Sequence, residues 1–167
     1  FAASDFDASA WETATLPGNW EQNGHEDLDG VMWYRRTVTV PEAWAGKPLV
    51  LELGPIDDFD TTWFGGTKVG ETGANVDQAW QKPRVYNIAG EHVQAGEVAI
   101  AIRVFDPHGG GGLHGEAAQM KIRPADATLG EPIAIAGDWH YHITYEIDGA
   151  DAAARPPARP VGPDHPH

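Results

Sequence analysis

Residues 49–70, LVLELGPIDDFDTTWFGGTKVG, constrain the fold of this chain more than any other stretch. Leu49 to Leu53 and Thr61 to Phe64 are short alternating runs that flank an acidic turn, and the second ends at Gly65-Gly66 before Lys68-Val69-Gly70. Successive strand side chains point to opposite faces, so alternation of this kind marks half-buried strands, and a two-glycine connection marks a hairpin. The same texture recurs over Val31–Val40, Arg84–Ile88, Val98–Phe105, Gln119–Arg123, Ile133–Ile135 and His140–Ile147. Between these runs lie Pro41, Gly46-Lys47-Pro48, Ala89-Gly90, Gly96, Pro107 to Gly112 and Gly130-Glu131-Pro132. That spacing predicts an all-β sandwich or barrel with little helix, at most a turn near Glu42–Ala45. Val98–Phe105 is apolar on both parities at its start, which predicts a central strand and an acidic or carbonyl partner for Arg103.

Charge and length narrow the function classes. A chain of 167 residues has room for one domain with a core, since chains near this size bury roughly 70% of their unfolded surface. With 25 acidic against 11 basic residues the formal charge is −14, which disfavours nucleic acid and anionic membranes as partners. No stretch approaches the roughly 18 apolar residues of a membrane helix. The absence of an initiator Met and of a basic-then-apolar leader predicts an excised or processed piece. Zero cysteine excludes a disulfide framework and leaves the compartment open. Residues 1–147 read as the domain, whereas 148–167, with five prolines, five alanines and no aromatic residue, read as an extended linker.

Four groups of residues carry possible chemistry. The seven tryptophans come first, because indoles both stack on sugar rings and fill sandwich cores. Trp33 and Trp139, set among strand residues, are expected in the core; Trp20 and Trp80, in polar loops, are candidate contacts to a ligand or a neighbouring domain. Second, Asp57, Asp58 and Asp60 either bind a hard cation such as calcium or act structurally, one making an Asx-turn and another pairing with an arginine such as Arg35, Arg36 or Arg103. Alternation places Asp58, Asp60, Thr62 and Phe64 on one face. Third, Asp106, His108 and His114 bracket Gly109 to Gly112, a run whose chain-entropy cost makes sense where backbone passes close to something else. It lacks the lysine and following helix of a phosphate loop. Fourth, His140, His142 and Glu146 have the ligand spacing of a cupin metal site. A cupin also needs a later histidine, and only His165 and His167 in the proline-rich tail follow. The chain has no Gly-Asp-Ser block, no Gly-x-Ser-x-Gly elbow and no thiol, and the three clustered aspartates do not face one another across a cleft as glycosidase carboxylates do.

Taken in order, Leu16-Pro17-Gly18-Asn19-Trp20, Leu28 to Arg36, Val40-Pro41, Leu51 to Asp60, Trp63 to Gly70, Ala95-Gly96-Glu97, Arg103 to Asp106 and the glycine loop resemble the sugar-binding-type domain of family-2 glycoside hydrolases such as β-galactosidase. The resemblance is stronger to the version inserted in sialate O-acetylesterase-like carbohydrate esterases, where Gly137-Asp138-Trp139-His140-Tyr141 matches a closing Gly-x-Trp-x-Tyr run. Gly65-Gly66 and Gly96-Glu97-Val98 depart from the family's Asn-Gly and Gly-Glu-Asn, changes confined to turn chemistry. The resemblance implies a jelly-roll β-sandwich. It also implies a non-catalytic accessory domain, joined by its linker to an SGNH-type serine hydrolase in the same periplasmic or secreted parent. In that setting Asp106, His108 and His114, with Trp20 and Trp80, help shape a cleft for acetylated oligosaccharide or polysaccharide, and no cofactor is expected. The alternatives are a free-standing carbohydrate-binding module, an inert spacer or interaction domain, and a cupin-like metalloprotein.

Overall fold

Alternating burial along the strands builds two facing sheets in the computed structural model, which describes residues 1–25 and 28–146. The linker expected over 148–167 lies outside the described residues, as do Ile147, His165 and His167. The first sheet has the order β1-β12-β3-β8-β5-β6, formed by β1 (Glu12–Leu16), β3 (Gly30–Val40), β5 (Phe59–Phe64), β6 (Thr67–Thr72), β8 (Gly96–Asp106) and β12 (Gly137–Glu146). The second has the order β11-β10-β4-β9-β2, with β7 also paired to β4. Its strands are β2 (Gly18–Asn19), β4 (Leu49–Asp57), β7 (Pro83–Ile88), β9 (Gly112–Leu113), β10 (Lys121–Pro124) and β11 (Ile133–Ala134). Every pair is antiparallel, and among the described residues helix is limited to six single 3-10 turns, one of them Glu42–Trp44. The molecule is an all-β jelly-roll sandwich.

The core lies between the sheets. Met32, Tyr34, Phe64, Ile100, Ile102, Val104 and Trp139 from the first face Leu49, Leu51, Leu53, Ile56, Leu113 and Ile122 from the second. β8 is central, as its apolar start predicts, flanked by β3 and β5. Gly65 and Gly66 close the β5–β6 hairpin with φ of 57° and 82°, a left-handed pair that glycine adopts at little cost.

Two local expectations are corrected. Trp33 is on the outer side of its sheet, stacked on Trp63 at 5.1 Å, because Met32 and Tyr34 take the inward parity. Arg103 is also on that outer side, lining a groove with Phe59, Thr61 and Phe105, without a hydrogen bond or ion pair among the described residues. The amino-terminal arm leads into β1, and its first residues fold over the outer face. Phe1 packs edge-on against Trp33 and His142, while Arg35 donates to Phe1 O and Ala3 O at 2.8 Å each and to Ser4 O at 3.3 Å.

Candidate functional site

Strand parity brings the acidic turn and the glycine loop together. In β8 the inward positions run Ile100, Ile102, Val104 and then Asp106, so a carboxylate continues the core row into the end of the sandwich. On the neighbouring β5, Asp60, Thr62 and Phe64 share one face, as the alternation predicts, and that face points inward, with Asp58 buried just before them. β4 ends at Asp57, whose register partner is Gly112 on β9, and this pairing folds the glycine loop back over the acidic turn.

The three aspartates of the turn part company here. Asp60 belongs to a structural network: Arg84 Nε donates to Oδ1 at 2.7 Å, Thr62 Oγ1 donates to Oδ2 at 2.8 Å, and the Tyr86 hydroxyl lies 2.9 Å from both oxygens. Burial pushes the Asp60 carboxyl up, and these partners pull it back. The sequence calls for an arginine partner such as Arg35, Arg36 or Arg103, and the arginine that pairs is Arg84, which is none of these three. Arg35 and Arg36 donate to backbone carbonyls instead. Arg84 was legible: it shares parity with Tyr86 and Ile88 while Val85 is half-exposed, so an inward arginine required a buried acid.

Asp57 and Asp58 are joined by Asp106. Each offers an oxygen, and these oxygens lie within 4.8 Å of one another in a buried cluster. Asp106 Oδ1 accepts from His108 N at 3.3 Å, whereas Oδ2 is sealed from solvent without a hydrogen-bond partner among the described residues. Desolvation first, then the charges of Asp57 and Asp29, push the Asp106 carboxyl up to about 10. Glu21 adds to the same effect. These three oxygen donors are the described residues placed to hold a hard cation.

Of the residues expected to touch a glycan, three lie beneath the surface. Trp20 and Asp106 are 0% exposed and Trp80 is 5% exposed, so neither indole offers a free stacking face and Asp106 supports the loop from below. The reason is the glycine run itself: a methyl group on Gly111 would sit 2.5 Å from the six-membered ring of Trp20, and Trp20 N donates to Gly111 O at 2.9 Å. The close approach that the glycines permit is therefore to the domain's own indole. His108 and His114 remain half-buried at the rim. His114 Nε2 is 2.6 Å from Trp80 O, while neither ring nitrogen of His108 has a partner among the described residues, although both are shielded.

A bulge between Ile143 and Tyr145 shifts the register of β12 just after His142. His142 is exposed and stacked on Trp11 at 5.3 Å, and His140 lines a separate cavity of about 300 Å³ with Asp7, Arg35 and Arg36.

No protein-family model and no curated protein matches the chain. Solved structures do. A β-glucuronidase from Bacteroides uniformis superposes with a TM-score of 0.57 at 21% identity, over 84% of this chain and 15% of the other. A glycosyl hydrolase family 2 member from Bacteroides cellulosilyticus gives 0.55 at 21% identity, over 66% of this chain and 17% of the other. A β-glycosidase from Bacteroides vulgatus gives 0.53 at 18% identity, over 85% and 17%. This chain thus spans less than a fifth of the length of each of these enzymes. At such identities the likeness is one of fold, a jelly-roll β-sandwich of the kind these glycosidases carry as one part of a longer chain.

Proposed function

We propose that this sandwich is a non-catalytic accessory domain that shapes the glycan cleft of a carbohydrate O-acetylesterase, sialate O-acetylesterase-like, in a periplasmic or secreted parent. The observation that carries the reading is the gathering of the glycine loop, His108 and His114 over one end of the sandwich, with the carboxylate cluster beneath. Loops positioned by a rigid scaffold are where binding concentrates. A second feature supports insertion into a host. β1 and β12 are antiparallel neighbours, with Glu12 opposite Tyr141, so the strands by which the chain enters and leaves the sandwich lie side by side. Adjacent ends let a domain interrupt another chain without distorting it.

In this reading the hydrolase supplies serine, histidine and aspartate, while the loop backbone and the two rim histidines form one wall for the acetylated glycan. Half a site loses contact area and preorganisation, so the isolated domain binds oligosaccharide weakly. The test is made in the intact parent. His108→Ala and His114→Ala lower kcat/KM on acetylated glycans and spare a small aryl acetate that needs only the triad. Equal loss on both substrates, or no loss on either, refutes the cleft-wall role. Micromolar glycan binding by the isolated 167-residue chain would instead identify a self-sufficient binding module, and turnover of aryl acetate by that chain would refute the non-catalytic reading.

A further inference from the structure

The carboxylate cluster gathers three acidic side chains in a buried place. Asp57, Asp58 and Asp106 are each at most 2% exposed, and the pairing of β5 with β8, Phe59 opposite Phe105, brings the end of β8 against the acidic turn. Arg84, the buried cation of this region, is already engaged: it serves the Asp60 carboxylate and the backbone carbonyls of Ala79, Lys82 and Asp58. The charged groups that most perturb Asp106 are all acidic, namely Asp57, Asp29 and Glu21. Asp106 Oδ2 points into this cluster, fully shielded and with no donor among the described residues. Two residues on, the His108 ring is also shielded at both nitrogens without a partner among them. Like charges this close in a poorly solvated site are held together only by shared protons or by a cation.

We propose that Asp57, Asp58 and Asp106 together bind one calcium ion beneath the glycine loop. Calcium takes oxygen ligands at about 2.3–2.6 Å, so oxygens around it lie up to about 5 Å apart, and the mutual limit of 4.8 Å in this cluster falls inside that sphere. Magnesium holds its waters and demands a tighter octahedron, which disfavours it in a buried all-carboxylate pocket. The ion neutralises the acidic end of the sandwich and fixes the loop that carries His108 and His114. The inference does not depend on the glycan reading, since an ion at this position is compatible with any use of the loop.

The experiment uses the 167-residue chain, stripped with chelator and desalted. Terbium serves as the probe because the Trp20 ring packs against Gly111 and is placed to sensitise a lanthanide bound below the loop. The expected results are sensitised terbium emission displaced by calcium, one calcium per chain by elemental analysis, and a Tm raised by about 5–10 °C at a hundredfold excess over Kd. Millimolar magnesium leaves Tm unchanged. Asp106→Asn replaces a carboxyl that is costly to bury, so it raises the metal-free Tm, and by removing a ligand it abolishes the calcium increment and weakens terbium binding at least tenfold. Glu71→Gln, which alters an exposed acid, changes none of these. The proposal is overturned if the wild-type chain shows no calcium-dependent change, if magnesium matches calcium, or if Asp106→Asn retains the calcium increment, which would assign binding to the acidic surface. Should Asp106→Asn fail to fold, Asp58→Asn is read by the same terbium titration, and undiminished emission there overturns the proposal equally.

Discussion

Replacing Arg84 with methionine tests whether one buried guanidinium organises the acidic end of the sandwich. Arg84 is 1% exposed and donates to four groups: Asp60 Oδ1 at 2.7 Å, Ala79 O at 2.5 Å, Lys82 O at 2.7 Å and Asp58 O at 2.7 Å. Methionine preserves much of the volume and removes every donor. Asp60 is left with Thr62 and Tyr86 but without a counter-charge, and three carbonyls lose a partner. Breaking a buried pair from one side costs about 3–5 kcal/mol. A domain of this size loses about 2–4 °C per kcal/mol, so Tm falls by about 6–20 °C. Calorimetry and urea denaturation of the single variant and of Arg84→Met/Asp60→Asn provide the check. The double variant recovers about 2 kcal/mol relative to the sum of the singles, because an amide in place of the Asp60 carboxylate carries no charge for a guanidinium to balance. A single-variant cost below about 1 kcal/mol, or strict additivity, refutes the view that charge pairing dominates this network.

Further outcomes follow from other parts of the molecule. Gly111→Ala drives a methyl group into the Trp20 ring and lowers stability by about 1–3 kcal/mol, measured by urea denaturation. Arg35→Met frees the arm held at Phe1, Ala3 and Ser4, so limited proteolysis cuts within residues 1–11 faster while the sandwich stays resistant. Asp126 accepts from the Thr128 hydroxyl and backbone N–H, which holds its carboxyl below the usual value of 3.8. Its contribution to stability is therefore present above that value and is lost as pH falls through the lower folded value. An NMR titration of Asp126 gives a midpoint below 3.8, and Thr128→Ala moves it upward.

The strands are legible in the sequence where one face is apolar and the other polar, as in Val31–Val40 and Arg84–Ile88. β1 is not, because Glu12–Leu16 buries only Ala14 and Leu16 and presents no hydrophobic run. Residue type alone points Trp33 toward the core, whereas its parity relative to Met32 and Tyr34 places it outside. The same parity argument puts Asp58, Asp60 and Thr62 on one face, and the structure makes that face the inner one. What no local pattern carries is adjacency between distant segments. Asp106 joins Asp57 and Asp58 because β8 pairs with β5, with Phe105 opposite Phe59 next to Asp58. The glycine loop stands out in the sequence for a sound reason, the need for close approach, but the partner in that approach is Trp20 rather than a ligand.

The position of β12 between β1 and β3 governs the order in which the sandwich can be made. Glu12 meets Tyr141 across 129 positions of chain, and among the described residues β1 has no other strand beside it. During synthesis at about 5–20 residues per second, β1 therefore waits roughly 6–26 seconds for this neighbour to be translated. Until then its edge and the aromatic residues of the arm stay exposed to chaperones, proteases and other nascent chains. Pairings separated so far in sequence also form slowly, because loop closure precedes any gain from contact. The first sheet is thus completed by the last of its strands to be made, and a polypeptide truncated before Gly137 leaves β1 without the strand it pairs with.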